Sequence, residues 1–160
     1  MPTDTLFKMM VRDSNAIVVH LLCIHGELNV PERLLVRRKD TLSEWVFFPL
    51  SLDADGVNWM HAVLVAANMK TESLMFFDSG RHMGAWNLSE QIENRIREAM
   101  YYLAKEVYLT RNASSWRYKT IEYVDPTQYA PQHDNYNCAA FVALYAQRLM
   151  EGRDLRMSLM

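Results

Sequence analysis

The chain predicts an α+β fold, and three observations carry that reading. Two apolar runs, Trp59 to Ala67 and Leu74 to Asp78, are joined by the polar stretch Asn68-Met69-Lys70-Thr71-Glu72-Ser73. Such a pattern fits an antiparallel hairpin buried on both faces. An amphipathic helix is expected from about Ser89 to Thr110, where Ile92, Ile96, Met100, Leu103 and Val107 recur at steps of three and four. A further helix, Cys138 to Glu151, is apolar nearly all round and therefore buried.

In chain order, residues 1–13 read as an ordered arm at best. The run Ala16 to Ile24 lies between the cap-like Asp13-Ser14-Asn15 and Gly26, which predicts a short buried helix. Its β-branched Ile17, Val18, Val19 and Ile24 keep a strand open as the alternative. His20 and His25 read as structural or surface histidines. The charged stretch 31–44 reads as a solvated face, with a partner-docking surface as the minority reading. Trp45 to Leu50 is a short strand that Pro49 assigns to a sheet edge or a strand end, and Ser51 to Gly56 is a loop. Asn87-Leu88-Ser89-Glu90 resembles a capping box. Trp116 to Val124 is expected to be a further strand, Asp125 to Pro131 a loop, Gly152 the residue closing the last helix, and the final eight residues a fraying tail.

At 160 residues the chain is most simply one domain with a real core. Half of its residues are hydrophobic, 22% are charged, and a net charge of -2 argues against a nucleic-acid surface spread over the domain. Cys23 and Cys138 form neither a disulfide framework nor a CxxC motif, which fits a reducing compartment. Neither a secretion signal nor a bilayer-length apolar run is evident.

The chemistry centres on Pro131 to Phe141, where a polar run delivers Cys138 onto the first turn of an apolar helix. There the helix dipole and unpaired backbone N–H groups lower a thiol's pKa. Taken alone, Cys138 is as readily a small buried hydrophobe. A cysteine nucleophile needs a histidine to hold its proton and a third group to orient that histidine. His61 lies in the first strand of the hairpin, where a lone ring is more often a satisfied core histidine. Asp78 closes the second strand, where a turn starter is an equally good reading. Gln132 has an amide that could face an oxyanion beside the thiol.

The order His61, Asp78-Ser79, Gln132, Asn137-Cys138-Ala139-Ala140-Phe141-Val142 resembles the SUMO- and ubiquitin-like-modifier-specific cysteine proteases, a permuted branch of the papain-like peptidases. The likeness covers residues 45–152 well and the first 44 only weakly. The resemblance implies a papain-like α+β fold with a central, mostly antiparallel sheet packed against the helix that carries the nucleophile. It implies a catalytic domain over 1–160, with 1–44 a diverged substrate-side segment and 45–152 the core. The roles implied are Cys138 as nucleophile, His61 as base and acid, Asp78 as orienter and Gln132 as oxyanion donor. Trp59, Ala62 and Asn137 would contact the substrate's Gly-Gly tail. The implied partner is SUMO or a related modifier and its conjugates, met by a monomer in nucleus or cytoplasm, with no cofactor, metal, nucleic acid or membrane. Ala62 departs from the family's tryptophan, and Asn137-Cys138-Ala139 from its Asp-Cys-Gly. A same-clan acyltransferase, an inert binder of ubiquitin-like proteins and a plain α+β interaction domain are the alternatives.

Overall fold

A computed structural model describes residues 16–19, 21–24, 27–29, 43–53, 60–81, 87–131 and 138–156. Its strands are β1 (Ile17–Val18), β2 (Leu21–Ile24), β3 (Glu27–Asn29), β4 (Trp45–Asp53), β5 (Met60–Asn68), β6 (Ser73–Phe77) and β7 (Ile121–Tyr123). Its helices are α1 (Glu90–Glu106) and α2 (Cys138–Glu151), with 3₁₀ turns at Ala113–Tyr118 and Pro126–Gln128. The strands form one mixed seven-stranded sheet in the order β3-β2-β4-β5-β6-β7, with β1 also paired to β4.

Period-two alternation sorts the apolar side chains of the central strands into two cores. Val46, Phe48, Leu50, Val63, Val65, Leu74 and Phe76 share a cluster with Ile92, Ile96, Met100 and Leu103 of α1. Phe47, Ala62, Leu64, Ala66 and Phe77 share the other with Phe141, Val142, Tyr145 and Ala146 of α2. The sheet is thus covered by a helix on each face. This explains why β5 is apolar without interruption from Ala62 to Ala67, all of it at most 2% exposed.

Both long helices follow their local signals. The Ser89 hydroxyl accepts the Ile92 N–H at 3.2 Å, which caps α1. The helix ends at Glu106, short of Thr110, because Leu109 adopts φ 56° and Thr110 N–H turns back to the Ala104 carbonyl. At the end of α2, Gly152 at φ 67° donates to Leu149 and Arg153 donates to Arg148, a Schellman closure.

Five expectations are corrected. The run from Ala16 is not a helix: β1 and β2 lie parallel to β4, pairing with 46–47 and 50–51. Its β-branched residues serve a distant strand that cap-like flanks cannot reveal. Pro49 stands inside the sheet, paired with Leu64. The edge expectation fails because β1 and β2 add to β4 on the side away from β5, a pairing that local sequence cannot show. β4 also continues through Ser51–Asp53, which were expected to be loop. The span from Trp116 is mostly a 3₁₀ turn that buries Trp116 against α1, leaving only Ile121–Tyr123 as strand, parallel to β6. Finally, the tail is tied down at Leu155, whose carbonyl accepts the Ala130 N–H at 2.8 Å. The expectations for residues 1–13, for His20 and His25, and for most of 31–44 fall outside the described residues.

Candidate active site

The hairpin register decides which side chains meet. The last pair of β5 and β6 is Leu64 with Phe77. Continuing one residue further sets Asp78 opposite Val63, with His61 on the same face of β5 as its diagonal neighbour. There the His61 Nε2 and Asp78 Oδ1 lie 2.6 Å apart, with Asp78 1% exposed and the imidazole 14% exposed. Asp78 also starts a turn, since Gly80 N–H donates to the same Oδ1 at 2.9 Å and Arg81 N–H to its carbonyl. The turn-starter and ring-orienter readings are therefore both true of one residue. Its other oxygen, Oδ2, is buried with no hydrogen-bond partner among the described residues.

Nε2 is engaged by Asp78, and the imidazole and the Cys138 thiol are close enough to shift each other's ionisation. Cys138 is the first residue of α2 and 7% exposed. Its Sγ accepts a hydrogen bond from the backbone N–H of Ala62 at 3.3 Å. That donor is available because β6 stops at Phe77, two residues short of the position that would face Ala62 of β5. The sulfur takes the place that a continuing strand would have filled.

The electrostatics follow from these contacts. Burial alone pushes the Cys138 thiol up, but hydrogen bonds from His61, Ala62 N–H and Ala139 N–H, with the attraction of the imidazolium, bring it below its usual value. Burial likewise pushes His61 down, yet its bonds to Asp78 and Cys138 and their negative charges win and raise it to about 9. The two shifts run in opposite directions and describe one thing, the mutual stabilisation of an imidazolium and a thiolate. Such a pair can attack an electrophilic carbonyl and then return the proton to the departing group.

The structure thus brings together His61, Asp78 and Cys138, which lie 17 and 60 positions apart along the chain. Gln132, Trp59 and Asn137 lie outside the described residues. The Ala62 side chain is 2% exposed and packs with Leu64, Phe77 and Cys138, while its backbone touches the sulfur. Sequence reasoning missed that backbone donor. An amide carries no residue-type signal, and only the pairing register betrays it. Among the described residues there is no group of three or more metal-ligating side chains, and no helix is long and apolar enough to cross a membrane.

No protein-family model matches the chain, and a search of curated proteins finds no match. Solved structures do match. The SUMO protease Ulp1 with its catalytic cysteine oxidized to a sulfinic acid is 16% identical at a TM-score of 0.51, covering 76% of this chain and 48% of that one. The same protease with that cysteine oxidized to a sulfonic acid aligns at a TM-score of 0.52, with the same identity and coverage. The chain spans about half the length of the structures that it matches. At that identity the likeness is one of fold, and the fold is the papain-like α+β arrangement.

Proposed function

We propose that the chain is a cysteine-type peptidase or isopeptidase that cleaves after the C-terminal Gly-Gly of SUMO or a related ubiquitin-like modifier. One observation carries the reading: a cysteine at a helix start, bonded to a strand N–H and paired with a histidine that an aspartate holds at 2.6 Å. The likeness in fold to a SUMO protease supports the substrate class, as does the order of His61, Asp78, Gln132 and Cys138.

In this reading the Cys138 thiolate attacks the carbonyl of the terminal glycine, forming the C–S bond of a tetrahedral intermediate. The backbone N–H of Cys138 and the Gln132 amide stabilise the oxyanion, each such donor being worth about 10²–10³ in rate. As the C–N bond breaks, His61 gives its proton to the leaving amine, the α-amine of a tail peptide or the ε-amine of a lysine. Water then hydrolyses the thioester with His61 as base, releasing the modifier's carboxylate and restoring the thiol pair. Asp78 keeps the ring in the tautomer that faces Cys138. Residues 1–160 act as the catalytic domain, as a monomer without cofactor, in a nucleus or cytoplasm where the thiol stays reduced.

The test is labelling by ubiquitin-like proteins that carry a thiol-reactive group at the C-terminus. The expected result is covalent capture of one modifier class by the native chain and none by Cys138→Ala. Capture by Cys138→Ala, or no capture of any modifier by the native chain, overturns the proposal.

A further inference from the structure

Behind the candidate site, two buried tyrosines tie together segments that are distant in sequence. Tyr129, 2% exposed, belongs to the loop before Pro131, and its hydroxyl oxygen accepts the backbone N–H of Asp78 at 3.4 Å. Tyr145, fully buried, lies on the face of α2 that also carries Cys138 and Phe141, at spacings of seven and four residues. Its hydroxyl donates to the carbonyl of Ala130, the residue next to Tyr129. The rings interlock as well: Tyr129 meets Tyr145 edge-on with centroids 5.3 Å apart, and Phe77, adjacent to Asp78, lies 5.4 Å from Tyr129 and 5.9 Å from Tyr145.

We propose that Tyr129 and Tyr145 are positioning residues that link the strand end carrying Asp78, the loop ending at Pro131 and the helix carrying Cys138 into one rigid unit. The proposal rests on the function given above and adds a pair of residues to it. The physical need is plain. The pair His61–Cys138 is productive only if its two halves, borne by β5 and α2, hold their separation to a fraction of an ångström. Asp78 fixes the ring, yet it is the last residue before a turn, and among the described residues its backbone otherwise bonds only within that turn. The Tyr129 hydroxyl supplies the missing tie to its backbone. The Tyr145 hydroxyl passes that tie to the helix of the nucleophile. A third anchor, the Ala130 N–H bonded to the Leu155 carbonyl, holds the same loop from the other side.

Both phenols keep their protons through the neutral range, because burial pushes their ionisation upward. They are constant donors and acceptors. The charged groups felt by the two phenols are Asp78, Arg81 and Asp125 around Tyr129 and Asp78 and Arg148 around Tyr145, whereas His61 itself faces Asp78 and Cys138.

The test replaces each hydroxyl alone, as Tyr129→Phe and Tyr145→Phe, in the full chain. The ring titration of His61 is followed by NMR, and Cys138 alkylation by iodoacetamide is measured across pH. Expected in both variants is a fall of about half a unit or more in the His61 titration. Alkylation at pH 6 should slow several-fold, with the far-ultraviolet circular dichroism retained. Tyr118→Phe, at a site 84% exposed and outside the linkage, should match the native chain. An unchanged titration and unchanged alkylation in folded variants overturn the proposal. Should Tyr145→Phe fail to fold, Tyr129→Phe decides alone. These readouts need no substrate, so a native chain that ignores every modifier probe refutes the proposed function without deciding this linkage.

Discussion

At the scale of single residues, three side chains and one backbone amide define the candidate chemistry. Asp78 shows how little a local signal separates structure from function. It begins a turn through Gly80 and holds His61 through the same oxygen. Replacing it by asparagine retains the turn acceptor and removes the charge. We expect Asp78→Asn to bring His61 down from about 9 toward its ordinary 6.5 and to reduce turnover by about 10⁴ if the proposed mechanism holds. Stability should respond too. Below about pH 6.5 the ring is protonated whether the chain is folded or not, so the contribution of the raised His61 is fully present. It is lost as pH rises through about 9. The lowered Cys138 thiol offsets this in the native chain, so the slope is read in Cys138→Ala. Urea midpoints of that variant should fall as pH rises above about 6.5, and adding Asp78→Asn should flatten that fall.

At the scale of elements, α2 was the most legible part of the chain. Its start at Cys138 and its end at Glu151 coincide with the expected bounds, since a polar run, an apolar run and a glycine are local signals. Gly152 carries a test. Nothing lies within 4 Å of an added Cβ, so Gly152→Ala meets only the strain of φ 67°. The expected loss is about 1 kcal/mol by urea denaturation, with Cys138 alkylation unchanged because the closure sits at the far end of the helix. The hairpin was legible for the same reason, its two strands running Met60–Asn68 and Ser73–Phe77. The strand expected from Trp116 was not. Its alternating bulky and polar residues satisfied a period-two pattern, but Trp116 instead fills the core beneath α1 from a 3₁₀ turn, and Tyr118 stands 84% exposed.

At the scale of the whole molecule, β4 and β5 belong to both cores, because each strand sends alternate residues to opposite helices. The two layers should melt together. Phe48 is fully buried in the α1-side core, on the face of the sheet away from α2. Phe48→Ala should cost about 3–5 kcal/mol. Although Phe48 lies in the other core from Cys138, the loss of circular dichroism and the exposure of Cys138 to alkylation should follow one urea transition. Two separated transitions would show that the layers are independent.

The amino-acid order by itself determined the α+β class, the hairpin, both long helices and the candidacy of His61, Asp78 and Cys138. Each of these rests on periodicity, on caps or on residue chemistry, which neighbours in sequence suffice to express. Tertiary structure alone decided that Ile17–Val18 and Leu21–Ile24 are strands, that Pro49 is tolerated inside the sheet, and that the Ala62 N–H reaches the sulfur. These depend on parallel pairing with β4 and on where β6 stops beside β5. Contacts between strands distant in sequence leave no local periodic trace, so only the folded chain reveals them.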